Sequence, residues 1–355
     1  MAAFALPSVN ARPRQPIDGC DPLAQALRPP KRSRPLVAIV ADNRGTETTD
    51  LLIPHAILVQ SGVVDVVVVA PQDADIVLMP ALTIASQMTL SEFDRRYPGG
   101  ADYVIVPAMH HDERGGPIIE WIVRQAASRA IVAGICEGAK VLGRAGLLNG
   151  KNATTHWYAI DDLRKTYPAM QWIPNRRYVV DGSVVTTTGV TASIPVSLLL
   201  VEAIGGRQSA QALANQLGVS DYSPSHDSGK YHLNAARLWR VAKNTLALWR
   251  HETIGIQVDD GVSSLALALT ADPWGRTFRS SVIALAQRTS VTTSHGLVLR
   301  TVAPEDARHS DFLIQIDTGT PPVKRLDAAL TAISQRYGPE TADLVALQLE
   351  YPWQS

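Results

Sequence analysis

The sequence predicts an α/β fold, a three-layer sandwich with a mainly parallel central sheet, followed by a C-terminal truncated α/β repeat. From residue 36 onward, short apolar runs alternate with helix-compatible segments. This alternation is typical of parallel strands that helices cover on both faces. A second, shorter series of the same kind begins near residue 254. We therefore expect two α/β units of unequal size.

The larger unit is expected to span residues 36–218. The runs that predict its strands are short and rich in valine and isoleucine, and glycine or proline ends several of the segments between them. Predicted strands lie at residues 36–40, 63–70, 103–106, 130–135, 177–180 and 183–187, with a short hairpin at 75–86. Predicted helices lie at residues 49–61, 118–127, 139–148 and 194–204.

Three further segments complete the predicted organisation. Residues 1–35 are proline-rich, and we expect a disordered or extended lead-in whose basic run at 29–35 is a solvated linker. Residues 219–250 are expected to be a helical connector. Residues 251–355 are expected to be a degenerate half-repeat with an interface or scaffold role, because a half-unit leaves apolar faces that must be buried elsewhere.

The half-repeat is predicted from spacing. A proline follows the start of the first strand by 18 residues in the larger unit (Pro54) and by 19 residues in the smaller unit (Pro273). Residues 254–317 would then repeat the strand–helix–strand–hairpin–strand order of residues 36–106. Leu269 occupies the position of an acidic residue in the first unit, so the copy should lack an active centre. Chance similarity between two strand–helix–strand units is the alternative.

Composition excludes several classes of protein. The 355 residues carry 33 basic and 33 acidic side chains, so neither nucleic acid nor a membrane is an expected partner. Two cysteines are too few for a disulfide framework, which predicts a reducing, cytoplasmic compartment. No apolar run reaches the length of a membrane span. Export is the alternative if an N-terminal signal is missing from this chain.

A cysteine stands where a buried strand is predicted to turn sharply into a helix. The apolar run 130–135 ends at Cys136, and Glu137 follows. Such a turn raises a nucleophile above the sheet edge, near a helix N-terminus whose dipole favours a thiolate. A small buried core residue is the alternative. Asp50 and the loop after Pro107 also follow predicted strands, so all three should meet at the carboxyl edge of the sheet.

A series of ordered motifs in residues 36–218 resembles the ThiJ/PfpI family of class I glutamine-amidotransferase-like proteins. Several matches in the same order are more specific than one motif alone. Residues 134–157 are especially similar to the amidotransferase-like domains of AraC-type regulators and to isonitrile hydratases. The resemblance implies a flavodoxin-like sandwich. The motifs are Asp50-Leu51-Leu52-Ile53-Pro54, Tyr103-Val104-Ile105-Val106-Pro107, Gly134-Ile135-Cys136-Glu137-Gly138, residues 145–151, Ala153-Thr154-Thr155-His156-Trp157 and residues 188–193.

The resemblance also implies roles for individual residues. Cys136 is the reactive centre, Asp50 is the carboxyl group that approaches its sulfur, and His156 lies near the cysteine. An ordinary helix-start aspartate and a packed histidine are the alternatives for the last two. Glu137 departs from the family pattern and is expected to act as a second acid or base, or to raise the thiol pKa. The residues expected to bind substrate are Ala108, Met109, His110, Trp157, Gly189 and Val190.

These residues predict an enzyme that acts on a small molecule, a hydratase, lyase or hydrolase in which Cys136 attacks an electrophilic carbon. A redox or electrophile sensor, with an oxidant as partner, is one alternative. Another is a non-DNA-binding relative of AraC-type regulators, because residues 207–355 show no clear helix-turn-helix pair. No cofactor and no metal are expected. The run 110–113, which holds two histidines and two acidic residues, is likewise not expected to bind a metal. A homodimer is possible. His226 and His232 are expected at the surface.

Overall fold

The computed structural model describes residues 21–109, 116–303, 305, 310–317 and 319–353. Its N-terminal unit is an α/β sandwich whose strands and helices alternate along the chain. The strands are β1 (Leu36–Val40), β2 (Thr46–Glu47), β3 (Asp65–Ala70), β4 (Ile76–Met79), β5 (Thr83–Ile84), β6 (Met88–Thr89), β7 (Tyr103–Val106), β8 (Ile131–Gly134), β9 (Asn152–Ala153), β10 (Gln171–Trp172), β11 (Tyr178–Asp181) and β12 (Val184–Thr187). The helices are α1 (Pro22–Ala26), α2 (Thr48–Ser61), α3 (Leu90–Arg96), α4 (Pro117–Ala127), α5 (Gly138–Arg144), α6 (Ile160–Thr166), α7 (Ser193–Gly205) and α8 (Arg207–Leu217).

Seven strands form the central sheet in the order β11-β12-β8-β7-β1-β3-β6. Every pair is parallel except β11 with β12. Side chains alternate across the sheet: Val37 and Ile39 join the core on the α2 and α7 face, whereas Ala38 and Val40 join the core on the α4 and α5 face. This period of two, with both faces buried, explains why the strands read as continuous apolar runs. The predicted three-layer sandwich with a mainly parallel sheet is confirmed.

The helix after the cysteine is shorter than predicted. It ends at Arg144, because Ala145 begins a turn in which Gly146 has a φ of +73°. The short helices α3 and α6 were not predicted. The start of α3 carries a recognisable sequence signal, a capping box in which the side chains of Thr89 and Glu92 each accept from the other's backbone N–H.

The basic run before β1 is not a solvated linker in the described part of the lead-in. The backbone N–H groups of Lys31 and Arg32 both donate to Asp102, and the Arg32 guanidinium forms an ion pair with the same carboxylate at 2.6 Å. Asp102 is fully buried. A buried carboxylate requires a partner charge, and the basic run supplies it. The prediction of solvation is therefore wrong for these residues.

The C-terminal unit is a second, smaller α/β structure. Its strands β13 (Glu252–Gln257), β14 (Ser280–Leu285) and β17 (Phe312–Gln315) form a parallel sheet in the order β14-β13-β17, and β15 (Ser290–Thr292) pairs with β16 (Val298–Arg300) as a hairpin. Its helices are α10 (Ser264–Gly275), α11 (Lys324–Tyr337) and α12 (Pro339–Gln348), and the preceding connector contains α9 (Ala235–Leu246). The described elements follow the strand–helix–strand–hairpin–strand order expected for residues 254–317. That this order reflects a duplication stays a prediction.

The two units share one interior. Helix α10 packs against α2, and the largest apolar cluster runs continuously through both units. Strand β16 pairs antiparallel with β5, so that the two hairpins join in a five-stranded sheet of order β15-β16-β5-β4-β2. An ion pair between Arg300 and Asp75, at 2.7 Å, lies beside this junction. The hairpins of the two units therefore form one sheet that is separate from the parallel sheet of either unit.

The predicted helical connector is only partly helical. Between α8 and β13, the structure shows α9 and two short 3₁₀ turns, Ser228–Lys230 and Leu248–Arg250. Trp239 and Trp249 are 71% and 83% exposed.

Within the described ranges, no helix combines the length and apolarity needed to cross a membrane.

Candidate functional site

Cys136 lies in the tight turn between β8 and α5, at the carboxyl edge of the central sheet. Its φ of +55° is in the left-handed region that non-glycine residues rarely adopt. Two threonines hold the turn: Thr187 Oγ1 accepts from the Cys136 N–H at 3.0 Å, and Thr155 Oγ1 donates to the Cys136 carbonyl at 3.0 Å. These two hydrogen bonds hold the backbone of the turn in this conformation.

The thiol is in a closed and acidic environment. Cys136 is 5% exposed. Burial raises its pKa well above the usual value, and the charges of Asp50, Glu137 and Glu47 raise it further. The sequence-based expectation of a favoured thiolate is wrong for this arrangement, because desolvation and nearby carboxylates outweigh the dipole of a helix only seven residues long. The protonated thiol is therefore the stable form at neutral pH.

Asp50 approaches this turn from the first turn of α2, and it is fully buried. Its Oδ2 accepts from the Ala108 N–H at 3.0 Å, whereas its Oδ1 has no hydrogen-bond partner. Asp50 therefore forms no direct hydrogen bond with the Cys136 sulfur. Its charge is nevertheless close enough to raise the pKa of Cys136. Burial raises the pKa of Asp50 to about 7. Near neutral pH this carboxyl group therefore exists in both protonation states.

A second acid, Glu47, supports Asp50. Glu47 is the N-cap of α2, and its Oε2 accepts from the Asp50 N–H at 2.5 Å. The Thr49 hydroxyl also donates to the Glu47 carboxylate. Burial and then the charge of Asp50 raise the pKa of Glu47 to about 7. The first turn of α2 is therefore held by a glutamate whose own charge is costly to bury.

The cation beside this acid pair comes from the other unit. Arg276, at the end of α10, lies 2.5 Å from Glu47 Oε1 and 2.6 Å from Asp272 Oδ2. Burial alone would lower the pKa of Arg276, but Asp272 and Glu47 raise it, so the guanidinium stays charged. Burial raises the pKa of Asp272 to about 8, and its Oδ1 has no hydrogen-bond partner. The guanidinium also interacts electrostatically with Cys136.

The opposite side of the site is closed by the end of α12. His156 Nε2 lies 3.0 Å from the Gln348 carbonyl, and its Nδ1 accepts from the Tyr158 N–H. Trp157 donates from its indole to the Leu347 carbonyl at 2.9 Å. Burial lowers the pKa of His156, so the ring is neutral. With both ring nitrogens bonded to backbone groups, His156 fixes α12 rather than offering a free acid or base.

Glu350 lies just beyond α12 and contacts His226, a residue that was expected at the surface. Its Oε1 accepts from the Trp157 N–H at 2.7 Å, and its Oε2 pairs with His226 Nε2 at 3.0 Å. Although burial alone would raise the pKa of Glu350, the hydrogen bond from His226 lowers it. The side chain of His226 is only 8% exposed, so its predicted surface location is wrong. The ring is buried because it pairs with the buried carboxylate of Glu350. His232 is exposed, as expected.

The remaining predicted residues lie around the site in different roles. Glu137 forms an ion pair with Lys140 at 2.9 Å and contributes to the raised pKa of Cys136. Gly189 lies against Glu350, where an added Cβ would come within 2.7 Å of the glutamate side chain, and the neighbouring Val190 is buried. His110 lies outside the described residues, as does the rest of the run 110–113.

The loop after Pro107, which was expected to bind substrate, forms hydrogen bonds with protein groups at Ala108. The Ala108 N–H donates to Asp50, and the Ala108 carbonyl accepts from the Glu47 N–H at 2.9 Å. Met109 instead lines a separate cavity of about 240 Å³ at the ends of β1 and β3. A second cavity of about 340 Å³ lies between the units, with Glu350 and His226 in its wall. Neither lining includes Cys136, which the surrounding side chains cover in this form.

Sequence reasoning missed four charged residues of the site. Glu47 has only a weak signal: it stands close to the predicted helix start, but glutamate is not a favoured N-cap residue. Arg276 and Asp272 have an i,i+4 spacing that indicates an ion pair but gives no location for it. Glu350 has no such signal. Across the described ranges, no group of three or more His, Cys, Asp or Glu residues is arranged to hold a metal ion.

Comparisons with known proteins agree with this architecture. Residues 36–203 match the DJ-1/PfpI family. Isonitrile hydratase from Pseudomonas putida is 41% identical over 133 residues, which are 37% of this chain and 54% of that protein. The HTH-type transcriptional regulator CdhR from Pseudomonas aeruginosa is 33% identical over 110 residues, 31% of this chain and 32% of the regulator. The chain thus spans about half of the hydratase and a third of the regulator.

Two solved structures each align with about half of the chain. A DJ-1 superfamily protein from Salmonella typhimurium has 22% identity and a TM-score of 0.47, covering 53% of this chain and 100% of that one. An AraC family transcriptional regulator from Pseudomonas putida has 16% identity and a TM-score of 0.45, covering 51% of this chain and 98% of that one.

Proposed function

From the membership of residues 36–203 in the DJ-1/PfpI family and the geometry around Cys136, we propose that the chain is a small-molecule enzyme of the hydratase, lyase or hydrolase type. Cys136 is the nucleophile and Asp50 moves the proton. One observation carries the proposal: the Oδ1 atom of Asp50 is buried beside the cysteine turn and has no partner. A buried polar atom without a partner is costly, and a substrate or water at this position would satisfy it.

The protonation states suit addition to a neutral electrophile. Cys136 retains its proton because burial raises its pKa, and Asp50, with a pKa raised to about 7, gives or takes a proton near neutral pH. The sulfur therefore becomes nucleophilic only as its proton moves to Asp50 or to the substrate. Cys136 is therefore not a thiolate in the resting protein, and oxidants attack thiolates rather than thiols.

Hydration of an isonitrile, the reaction named for the Pseudomonas putida relative, fits this arrangement. The sulfur bonds to the terminal isonitrile carbon, and the thiol proton reaches that carbon through Asp50, giving an enzyme-bound thioformimidate. Water then adds to the same carbon. One proton of that water goes to the nitrogen, and its oxygen stays on the carbon. The carbon–sulfur bond then breaks, the sulfur takes the other water proton, and an N-substituted formamide leaves. One isonitrile and one water are consumed, and Cys136 and Asp50 return to their starting states.

The test uses the full chain with a panel of alkyl and aryl isonitriles, and formamide is measured by nuclear magnetic resonance. Cys136→Ala should lower the rate at least about 1000-fold, as expected for loss of a nucleophile. Asp50→Asn should lower it about 100-fold, the contribution of a positioned acid–base group. Cys20→Ser is the matched thiol control and should keep full activity. Formamide formation by Cys136→Ala at the wild-type rate would contradict the proposal, as would a wild-type chain that converts none of the panel.

A redox or electrophile sensor is the second candidate, and the raised pKa of Cys136 argues against it. Thiolates, not thiols, react with peroxide. In a peroxide titration followed by intact-mass analysis, Cys136 should gain oxygen no faster than an ordinary cysteine. Rapid oxidation at stoichiometric peroxide would favour the sensor.

A further inference from the structure

The buried acids of the site belong to the N-terminal unit, but the cation that accompanies them belongs to the C-terminal unit. Among the described residues in contact with Glu47, Arg276 is the one that brings a positive charge. The two residues are 229 positions apart. This contact joins the start of α2 to the end of α10, the two helices that pack together across the units. The C-terminal unit thus contributes charge to the site as well as apolar surface.

We infer that Arg276 is a positioning residue for the Cys136 site, so that the C-terminal unit completes the active centre within one chain. The inference deepens the proposed function and rests on it. Arg276 acts through Glu47: the guanidinium holds the Glu47 carboxylate, which caps α2 and fixes the turn that carries Asp50. Asp272 holds the other edge of the guanidinium and sets its direction.

A second contact path reaches the other side of the site. The side-chain amide of Gln348 donates to the Arg276 carbonyl at 3.0 Å, and the Gln348 carbonyl pairs with His156 Nε2. His156 follows Thr155, which donates to the Cys136 carbonyl. The end of α10 therefore contacts both the residue that supports Asp50 and the segment that holds the cysteine turn. A shift of α10 would move both sides of the site together.

The charges facing Arg276 explain why a cation is needed there. Glu47 and Asp50 approach from the start of α2, and Asp272 from α10 itself. Cys136 and His156 also interact with the guanidinium electrostatically. Without Arg276, Glu47 and Asp272 would be buried acids with no counter-charge and would take up protons. Protonation of Glu47 would weaken its hold on the first turn of α2, so that Asp50 and the cysteine turn would lose a common support.

The experiment measures the site without a substrate first. In a Cys20→Ser background, the rate of Cys136 alkylation by iodoacetamide is followed against pH in the native protein. Arg276→Met should slow alkylation at pH 8 at least 5-fold, because the turn that carries Asp50 and the cysteine turn lose their common support. Arg276→Lys keeps the charge without the two-sided contact and should restore part of the rate. Arg288→Met, a surface arginine of the same unit, should leave the profile unchanged.

A double variant separates positioning from folding. Glu47→Gln combined with Arg276→Met removes the acid along with the cation, so that no unpaired charge stays buried and stability should recover. Alkylation and isonitrile conversion should nevertheless remain at least 5-fold below wild type. If the double variant recovers stability and wild-type alkylation together, Arg276 has a structural role alone and the inference is overturned. Because alkylation needs no substrate, this result is distinct from failure of the proposed reaction.

Discussion

Gly138 begins α5 immediately after the cysteine turn, and one added methyl group there should damage folding and the site together. A Cβ atom at this position would lie 2.0 Å from the carbonyl oxygen of Val106, at the end of β7. Ordinary contact begins at 3.4 Å, so the helix start and the strand would have to separate by about 1.4 Å. The neighbour is backbone in the middle of a parallel sheet, so it cannot rotate away as a side chain would.

The magnitude of the Gly138→Ala effect follows from three contributions. Overpacking costs up to about 3 kcal/mol when the obstacle is rigid. The Val106 carbonyl also accepts from the Ile135 N–H at 2.9 Å, and weakening that bond adds about 1 kcal/mol. The better helix propensity of alanine returns about 1 kcal/mol. The free energy of unfolding should therefore fall by about 3 kcal/mol.

Urea unfolding followed by tryptophan fluorescence measures this change, and iodoacetamide alkylation of the native protein reports on the thiol. The matched control is Gly99→Ala, where the nearest atom to an added Cβ is Arg32 Nη2, at 3.6 Å. That control should stay within about 0.5 kcal/mol of wild type. A Gly138→Ala variant as stable as the control, with an unchanged alkylation rate, would refute the close approach of β7 and α5.

Three further predictions concern charge, hydrogen bonding and exposure. The raised pKa values of Glu47 and Asp272 mean that the native state keeps protons that the unfolded chain has lost. The free energy of unfolding should therefore fall as pH rises from about 4 to about 8, and Glu47→Gln should flatten this decline in a urea series across pH. Thr187→Val removes the acceptor of the buried Cys136 N–H and should cost about 1–3 kcal/mol by the same assay. Trp249→Ser should change stability by less than about 0.5 kcal/mol in thermal unfolding, because the indole is 83% exposed.

Strand positions could be predicted closely where both faces of the strand are buried. The apolar runs 36–40 and 103–106 coincide with β1 and β7. Their limits are clear because Pro35 precedes the first run, and Asp102 and Pro107 flank the second. Helix ends were less predictable, since a segment such as 139–148 continues to favour a helix after the backbone has turned. The lead-in was misjudged because its order depends on a distant partner, Asp102.

The candidate site also has features that could be predicted from the sequence and features that could not. Cys136 could be selected because it stands at a local structural signal, a predicted strand end before a helix. Asp50 could be selected only through the family resemblance, because an aspartate at a helix start is otherwise ordinary. Their electrostatic state could not be predicted, because it depends on burial by residues far away in sequence. Arg276 illustrates the limit: only the packing of α10 on α2 brings it to Glu47, and no local pattern encodes that contact.

The helices at the interface explain why the smaller unit is retained. In α2, residues 48–58 are all buried, and α10 is buried from Ser264 to Trp274. A helix that is buried on every side needs protein on two faces. The central sheet covers one face of α2, and α10 covers the other. Each unit therefore serves as an outer layer of the other, which favours the scaffold role proposed for residues 251–355. Because the same helix pair positions Glu47 and Arg276, a change that loosens the interface should reduce stability and thiol reactivity together.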